Sequence, residues 1–165
     1  MSQDSNAPSD NNGRQLSLAE EARRLVAANR RGVLSTLIAG EGVPYGSLVD
    51  LAPLPDGDVV MFLSTLAVHQ QYLVEDPRAS IFIAPDFAEA DALAQARVTL
   101  IGRVAAVEDR NSVAGLYLEH HPNAQQYINF PDFQFYRLQV EKARYIAGFG
   151  RMGWIPGDRY RAASV

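Results

Sequence analysis

The sequence predicts a mainly β (α+β) fold, an antiparallel barrel of six or seven strands with flanking helices. Short runs of apolar and β-branched residues follow one another along most of the chain, and segments dense in Gly, Pro and Asp separate them. Connections between the early strands are too short for crossover helices, and helices do not alternate with strands. These observations favour an antiparallel barrel over a doubly wound parallel sheet.

The N-terminal part of the chain predicts a loose tail followed by one helix. Residues 1–15 are mostly small or polar and have little to bury, so we expect them to be disordered. Ser17 and Glu20 have the spacing of a capping box. A helical face then continues until Gly32 and consists of Leu18, Ala22, Leu25, Val26 and Asn29.

The next part of the chain predicts a meander with one helical insertion. Residues 33–38, 47–52 and 59–63 have the composition of strands. A short helix is expected over 67–75, ended by Asp76 and Pro77, and residues 79–84 form the next strand.

The C-terminal half predicts the remaining strands. Residues 97–107 are long enough for a strand that bends at Gly102. Asp109 can cap a helix that ends near His120, and Pro122 can start a further turn. Alternation over 133–140 and on to 147 predicts the last strands. We therefore expect one domain over 16–155 and a C-terminal tail over 156–165.

Composition excludes several classes of function. The chain has 165 residues, 47% of them hydrophobic, and a formal net charge of -4, which argues against nucleic-acid or anionic membrane partners. It has no cysteine, so disulfides, thiolate metal sites and cysteine nucleophiles are excluded. Neither a signal peptide nor a membrane-spanning run is recognisable, and a cytoplasmic protein is expected.

One strand-to-helix junction offers an anion site. Ser64 and Thr65 end a strand, and His69 lies in the first turn of the following helix, where backbone N–H groups point outward. The alternative is that Ser64 or Thr65 only caps the helix and that His69 is a surface residue.

A second candidate site follows the last strand. In the segment 148–154, glycines allow close approach to a ligand, and Phe149, Arg151 and Trp154 can stack on a flat ring. The alternative is a tight turn that folds Phe149 and Trp154 back as an apolar plug. His120 and His121 are adjacent and point about 100° apart on a helix, so no metal site is predicted there.

Several blocks, taken in order, resemble one family. They are 44–49 (PYGSLV), 63–69 (LSTLAVH), 76–80 (DPRAS), 97–102 (RVTLIG) and 148–151 (GFGR) with Trp154. The chain resembles the pyridoxamine 5'-phosphate oxidase-like FMN-binding split β-barrels, especially the branch related to bacterial haem-utilisation proteins. The resemblance runs from about Leu18 to Trp154.

The resemblance implies a homodimer with FMN in a cleft between the subunits. Ser64, Thr65 and His69 would then face the phosphate, together with Gln71. Backbone of Ser47, Leu48 and Val49 would run beside the isoalloxazine, and Arg97 would approach from a neighbouring strand. The segment carrying Phe149, Arg151 and Trp154 completes the predicted cofactor site.

The resemblance also sets the expected activities. Relatives commonly carry basic side chains after the histidine, where this chain has Gln70 and Gln71, which can donate hydrogen bonds but supply no charge. The motif with which pyridoxamine-phosphate oxidases hold their substrate is not recognisable after Trp154. We expect an FMN-dependent oxidoreductase acting with a small-molecule substrate or electron donor, with no side chain evident as catalytic. The alternatives are a haem-binding or haem-degrading protein using the same cleft, and a non-catalytic flavin carrier.

Overall fold

A computed structural model of the protein describes residues 15–85, 91–148 and 150–165. Residues 1–14 of the predicted tail 1–15, and Phe149, lie outside the described residues. The helices are α1 (Leu18–Ala28), α2 (Val68–Glu75), α3 (Asn111–His120) and α4 (Gly157–Ala162), with 3-10 turns at Ala92–Ala94 and Pro122–Gln126. The strands are β1 (Arg31–Leu37), β2 (Pro44–Pro53), β3 (Val59–Ser64), β4 (Arg78–Ile83), β5 (Arg97–Ala106), β6 (Phe133–Ile146) and β7 (Met152–Pro156).

Six antiparallel strands close into a barrel, and a seventh extends it. Neighbours follow the order β3-β2-β1-β4-β5-β6-β7, and β3 also pairs with β6. The predicted split barrel with flanking helices is therefore confirmed.

The long strand β6 closes the barrel by pairing with β3 and also pairs with the additional strand β7. Its first half pairs with β3, from Phe133 opposite Ser64 to Leu138 opposite Val59. Past that point the same edge pairs with β7, which the sequence did not predict as a strand. Along the other edge β5 follows β6 with a register shift between Ile101 and Gly102, so the predicted bend is a β-bulge.

Helix α1 begins as predicted and ends earlier. The Ser17 side chain accepts from the Glu20 N–H and the Glu20 carboxylate accepts from the Ser17 N–H, which is a complete capping box. The helix stops at Ala28, not at Gly32, because Asn29 is already extended and Gly32 belongs to β1. A Cβ at Gly32 would lie 2.7 Å from Ile81 of the neighbouring β4, so glycine permits close packing there.

Apolar side chains fill two clusters, one inside the barrel and one between β2, β3, β6 and α3. The segment 156–165, expected as a tail, contains α4, and its Tyr160 is fully buried against the barrel. Buried Arg23 of α1 donates to the carbonyls of Arg161 at 3.1 Å and Pro55 at 2.8 Å. These bonds join α1, α4 and the β2–β3 turn. Among the described helices, none is long and apolar enough to cross a membrane.

Candidate functional site

Two adjoining cavities form a cleft on the barrel surface. The larger, here called the histidine cavity, has a volume of about 610 Å³, and the smaller junction cavity has about 330 Å³. Leu48, Asp50 and Tyr127 line both. The strand β2 therefore forms the ridge between the two cavities, and a ligand lying across that ridge could use both.

The junction cavity lies where β3 turns into α2. The Ser64 hydroxyl donates to Asp132 Oδ2 at 2.9 Å and accepts from the Leu66 N–H at 3.2 Å. The Thr65 N–H donates to the Asp132 carbonyl at 2.7 Å. Helix α2 is capped at Ala67 without a side-chain bond, so the interpretation of Ser64 or Thr65 as the helix cap is wrong. A carboxylate thus shares the position expected for a phosphate.

His69 stands on the wall of the junction cavity. Its Nε2 is buried and has no hydrogen-bond partner among the described residues. Burial lowers the pKa of His69, because a charged imidazolium would lose its hydration there. The wall around it is largely apolar and aromatic, and none of the described residues that line this cavity is Lys or Arg. The lining includes Val49, Phe62, Leu63, Tyr117 and Phe133.

The histidine cavity has a basic side and an imidazole side. Arg30, just before β1, and Arg31, its first residue, lie on one side, and His120 and His121 lie at the end of α3 on the other. The Arg31 Nε donates to the Asp50 carboxylate at 2.8 Å, and this bond raises the pKa of Arg31. The cavity therefore combines cationic groups with nitrogen donors.

The two neighbouring histidines form hydrogen bonds with different backbone carbonyls. His121 is buried, its Nε2 lies 2.8 Å from the Leu51 carbonyl oxygen, and its ring packs 4.7 Å from the Tyr117 ring. His120 is half-buried, and its Nδ1 lies 3.0 Å from the Leu116 carbonyl oxygen. A carbonyl oxygen can only accept, so the hydrogen sits on Nε2 of His121 and on Nδ1 of His120. No group of three His, Asp or Glu side chains arranged for a metal ion occurs within the described ranges.

Two tyrosines border the cleft as neutral phenols. Burial raises the pKa of both Tyr117 and Tyr127, and the charge of Asp50 raises each further. Tyr127 lies beside Phe62 with ring centroids 6.1 Å apart and planes 19° apart. The cleft therefore offers flat, uncharged aromatic surface.

The structure brings one group of the predicted residues together. Leu48, Val49, Ser64 and His69 all line the junction cavity. Ser47 precedes them on β2, and its hydroxyl is buried with no hydrogen-bond partner in the part of the chain that is described. Thr65 and Gln71 are exposed, while Gln70 is buried and donates to the Tyr136 hydroxyl at 2.6 Å.

A second group of predicted residues lies apart from both cavities. Arg97 donates to the Leu93 carbonyl at 2.7 Å, and Arg151 forms an ion pair with Glu21 at 2.9 Å. Trp154 is 58% exposed on β7, so it is not folded back as a plug. Arg97 pairs with the last residue of β6, whereas Ser64 pairs with the first. Within one chain the two groups are thus separated by the length of that strand.

Sequence reasoning missed Asp50, Asp132, Tyr127 and the pair Arg30–Arg31. The sequence did contain a signal for Asp50, because it is a lone carboxylate within an apolar strand. Asp132 had none, because it is 68 residues from Ser64 in sequence and only the β3–β6 pairing brings them together.

Several known proteins resemble this chain in sequence or in structure. A heme-binding protein of Mycobacterium smegmatis has 38% sequence identity and a TM-score of 0.85, over 92% of this chain and 62% of that one. The chloroplastic heme oxygenase HOZ of Arabidopsis thaliana is 36% identical over 91% of this chain and 48% of its own length. A Clostridium acetobutylicum protein of the pyridoxinephosphate oxidase family shares the fold at 16% identity, with a TM-score of 0.67 over 87% of this chain and 96% of that one. The chain therefore spans about half of the plant relative.

The family model "CREG, beta-barrel" matches residues 14–162, nearly the whole chain. Both the closed barrel and the relatives agree with that match. The predicted resemblance to pyridoxamine-phosphate-oxidase-like barrels and their haem-utilisation branch is confirmed. The chain belongs to the CREG-type β-barrel family.

Proposed function

We propose that this protein binds haem in the cleft, with the porphyrin in the histidine cavity. The observation that carries the proposal is the lining of that cavity, which places imidazoles and arginines around an aromatic wall. Its volume of about 610 Å³ lies within the range typical of sites for small molecules and cofactors.

The residues present fit haem in three respects. Phe82 and Tyr127 supply flat apolar surface for a porphyrin ring. Arg30 and Arg31 lie at the same cavity and can pair with the two carboxylates of haem. The histidines provide the nitrogen donors that commonly ligate haem iron.

Two relatives support the same ligand. One carries the name of a heme-binding protein and the other that of a heme oxygenase, and both are more than a third identical to this chain. When bound, haem supplies redox and oxygen chemistry. The chain's own contribution is to hold the ring, exclude water with Tyr127 and Phe82, and place the Asp50 carboxylate 4.0 Å from His121 Nδ1.

FMN is the weaker candidate for this cleft. Its phosphate would lie at the junction cavity, where the described lining holds no Lys or Arg and where Asp132 already accepts from Ser64. A doubly charged phosphate would meet the Asp132 carboxylate there. The barrel shared with the pyridoxinephosphate oxidase family supports the fold alone.

Homodimer formation is part of the proposal. One row of cross-strand neighbours crosses six strands on a single face, from Leu48 on β2 to Trp154 on β7. The row consists of Leu48, Val33, Phe82, Thr99, Arg144 and Trp154. Leu48 is 71% exposed and Trp154 is 58% exposed, which is unusual for side chains of this size in a continuous row. A second copy covering this row would close the cleft beside Leu48, and sedimentation at micromolar concentration tests the dimer.

Parallel titrations of the purified protein with haem and with FMN test the ligand. We expect a saturable Soret band with one haem per chain, and FMN fluorescence that is quenched only at much higher concentration. Arg30→Ala should weaken haem, whereas Arg24→Ala, which removes an exposed charge on α1, is the matched control. Tight FMN binding with no saturable Soret change would overturn the proposal.

A further inference from the structure

We propose that His120 supplies the nitrogen ligand to the haem iron. This inference deepens the proposed function and rests on it. Few side chains of the described residues could bind iron strongly from the cleft, and the histidines among them differ in which ring nitrogen already takes part in a hydrogen bond.

Sulfur ligands are excluded by position or by composition. The chain has no cysteine. Met61 is fully buried inside the barrel, and Met152 is exposed on β7, away from both cavities. Burial raises the pKa of Tyr117 and of Tyr127, which disfavours the phenolate form that would bind iron. The candidates that remain in the cleft are its three histidines.

His69 lacks an accessible nitrogen on its Nε2 side. Nε2 has essentially no solvent-exposed surface although it has no hydrogen-bond partner among the described residues. An iron atom must approach the nitrogen within about 2 Å, so α2 would have to move before Nε2 could ligate.

Both ring nitrogens of His121 face other groups. Its Nε2–H donates to the Leu51 carbonyl, and its ring is held against Tyr117. Ligation through Nε2 would break that buried hydrogen bond and leave the Leu51 carbonyl unpaired. Ligation through Nδ1 would bring the iron against the Asp50 carboxylate, whose Oδ2 lies 4.0 Å from that nitrogen.

His120 has the arrangement that metal-bound histidines usually show. Its Nδ1–H donates to the Leu116 carbonyl, which fixes the tautomer and leaves Nε2 with a lone pair in the neutral ring. The side chain is half-buried and lines the histidine cavity. Arg30 and Arg31 line the same cavity, so one haem could reach both the imidazole and the cationic groups.

The test is spectroscopic and uses the full chain with haem. Variants His120→Ala and His120→Gln are compared with His69→Ala and with Glu119→Ala, an exposed neighbour on α3. We expect both His120 variants to lose the iron–histidine band in the resonance Raman spectrum of the ferrous form. Haem should also bind about tenfold or more weakly. Added imidazole should restore the Soret position in His120→Ala, which a folding defect would not allow.

The outcomes separate this inference from the proposed function. If the unchanged protein binds no haem, both the proposed function and the assignment of His120 as iron ligand are wrong. If it binds haem and the His120 variants keep the histidine band, the ligand assignment is wrong while the function stands. Loss of the band in His69→Ala alone would move the ligand to α2.

Discussion

The Ser64 hydroxyl donates to the Asp132 carboxylate across 2.9 Å and thereby joins the end of β3 to the residue before β6. The Asp132 backbone carbonyl accepts from the Thr65 N–H at the same place. One aspartate therefore occupies the hydrogen-bonding groups that would otherwise meet an anion at the start of α2. We therefore expect Asp132 to lower the affinity of the junction cavity for phosphate.

Asp132→Asn is expected to improve binding of FMN. The amide oxygen can still accept from Ser64, so the turn is retained, while the negative charge next to the phosphate position is removed. A unit charge about 5 Å from a phosphate at a solvated site is worth roughly 1 kcal/mol, so the dissociation constant should fall about fivefold. Fluorescence quenching of FMN measures it.

Asp158→Asn is the matched control, because it removes an exposed charge on α4 and should leave FMN binding unchanged. Equal affinities of the Asp132→Asn variant and the unchanged protein would show that the phosphate does not approach Asp132.

Asp58→Asn should destabilise the barrel more than Asp56→Asn. Asp58 is 1% exposed and accepts from Arg137 Nε at 2.7 Å and from the Val140 N–H at 2.9 Å. An asparagine must turn its NH2 group toward one of these donors, which should cost about 2–3 kcal/mol, the value of a charged hydrogen bond.

Asp56 pairs with the same guanidinium from an exposed position, so Asp56→Asn should cost under about 1 kcal/mol. Urea unfolding of both variants gives the comparison. Similar losses in the two variants would mean that burial at Asp58 does not matter.

The barrel was predictable because strand composition and turn residues repeat along the chain. Gly102 in the middle of an apolar run indicated the bend that the structure shows as a bulge. The strand β7 was not predictable, since its five residues include Gly153 and follow two further glycines, and its pairing with the second half of β6 depends on where β3 ends. The helix α4 was missed because it has only six residues and Tyr160 is the one large side chain that it buries.

The candidate site was predictable only in part. Ser64 and His69 stand at a strand-to-helix junction that local sequence reveals. The long-range partners Asp132, which bonds Ser64, and Leu51, which bonds His121, are set by the closed barrel and leave no local signal. Arg97 and Trp154 were grouped with Ser64 by resemblance, and within one chain they lie apart from it.

Gly102→Ala and Gly115→Ala should change stability in opposite directions. A Cβ at Gly102 would lie 1.8 Å from the Gln139 carbonyl oxygen, so the bulge must open and the barrel should lose about 3 kcal/mol. Gly115 is exposed within α3 with nothing near its Cβ position, and alanine there should add about 0.5–1 kcal/mol. Thermal unfolding distinguishes them, and a neutral Gly102→Ala would contradict the bulge geometry.

His69 should make the fold weaker in acid. Burial lowers its pKa in the folded protein, so the unfolded chain, with a pKa near about 6.5, binds the proton more readily. The stabilising contribution of the neutral imidazole is complete above that pH and is lost as the pH falls through the lower, folded value. His69 is also the second residue of α2, where the helix dipole disfavours a cation. Urea unfolding from pH 8 to pH 5 should therefore show His69→Gln gaining stability relative to the unchanged protein as the pH falls. Parallel stability curves for the two proteins would refute a depressed pKa at His69.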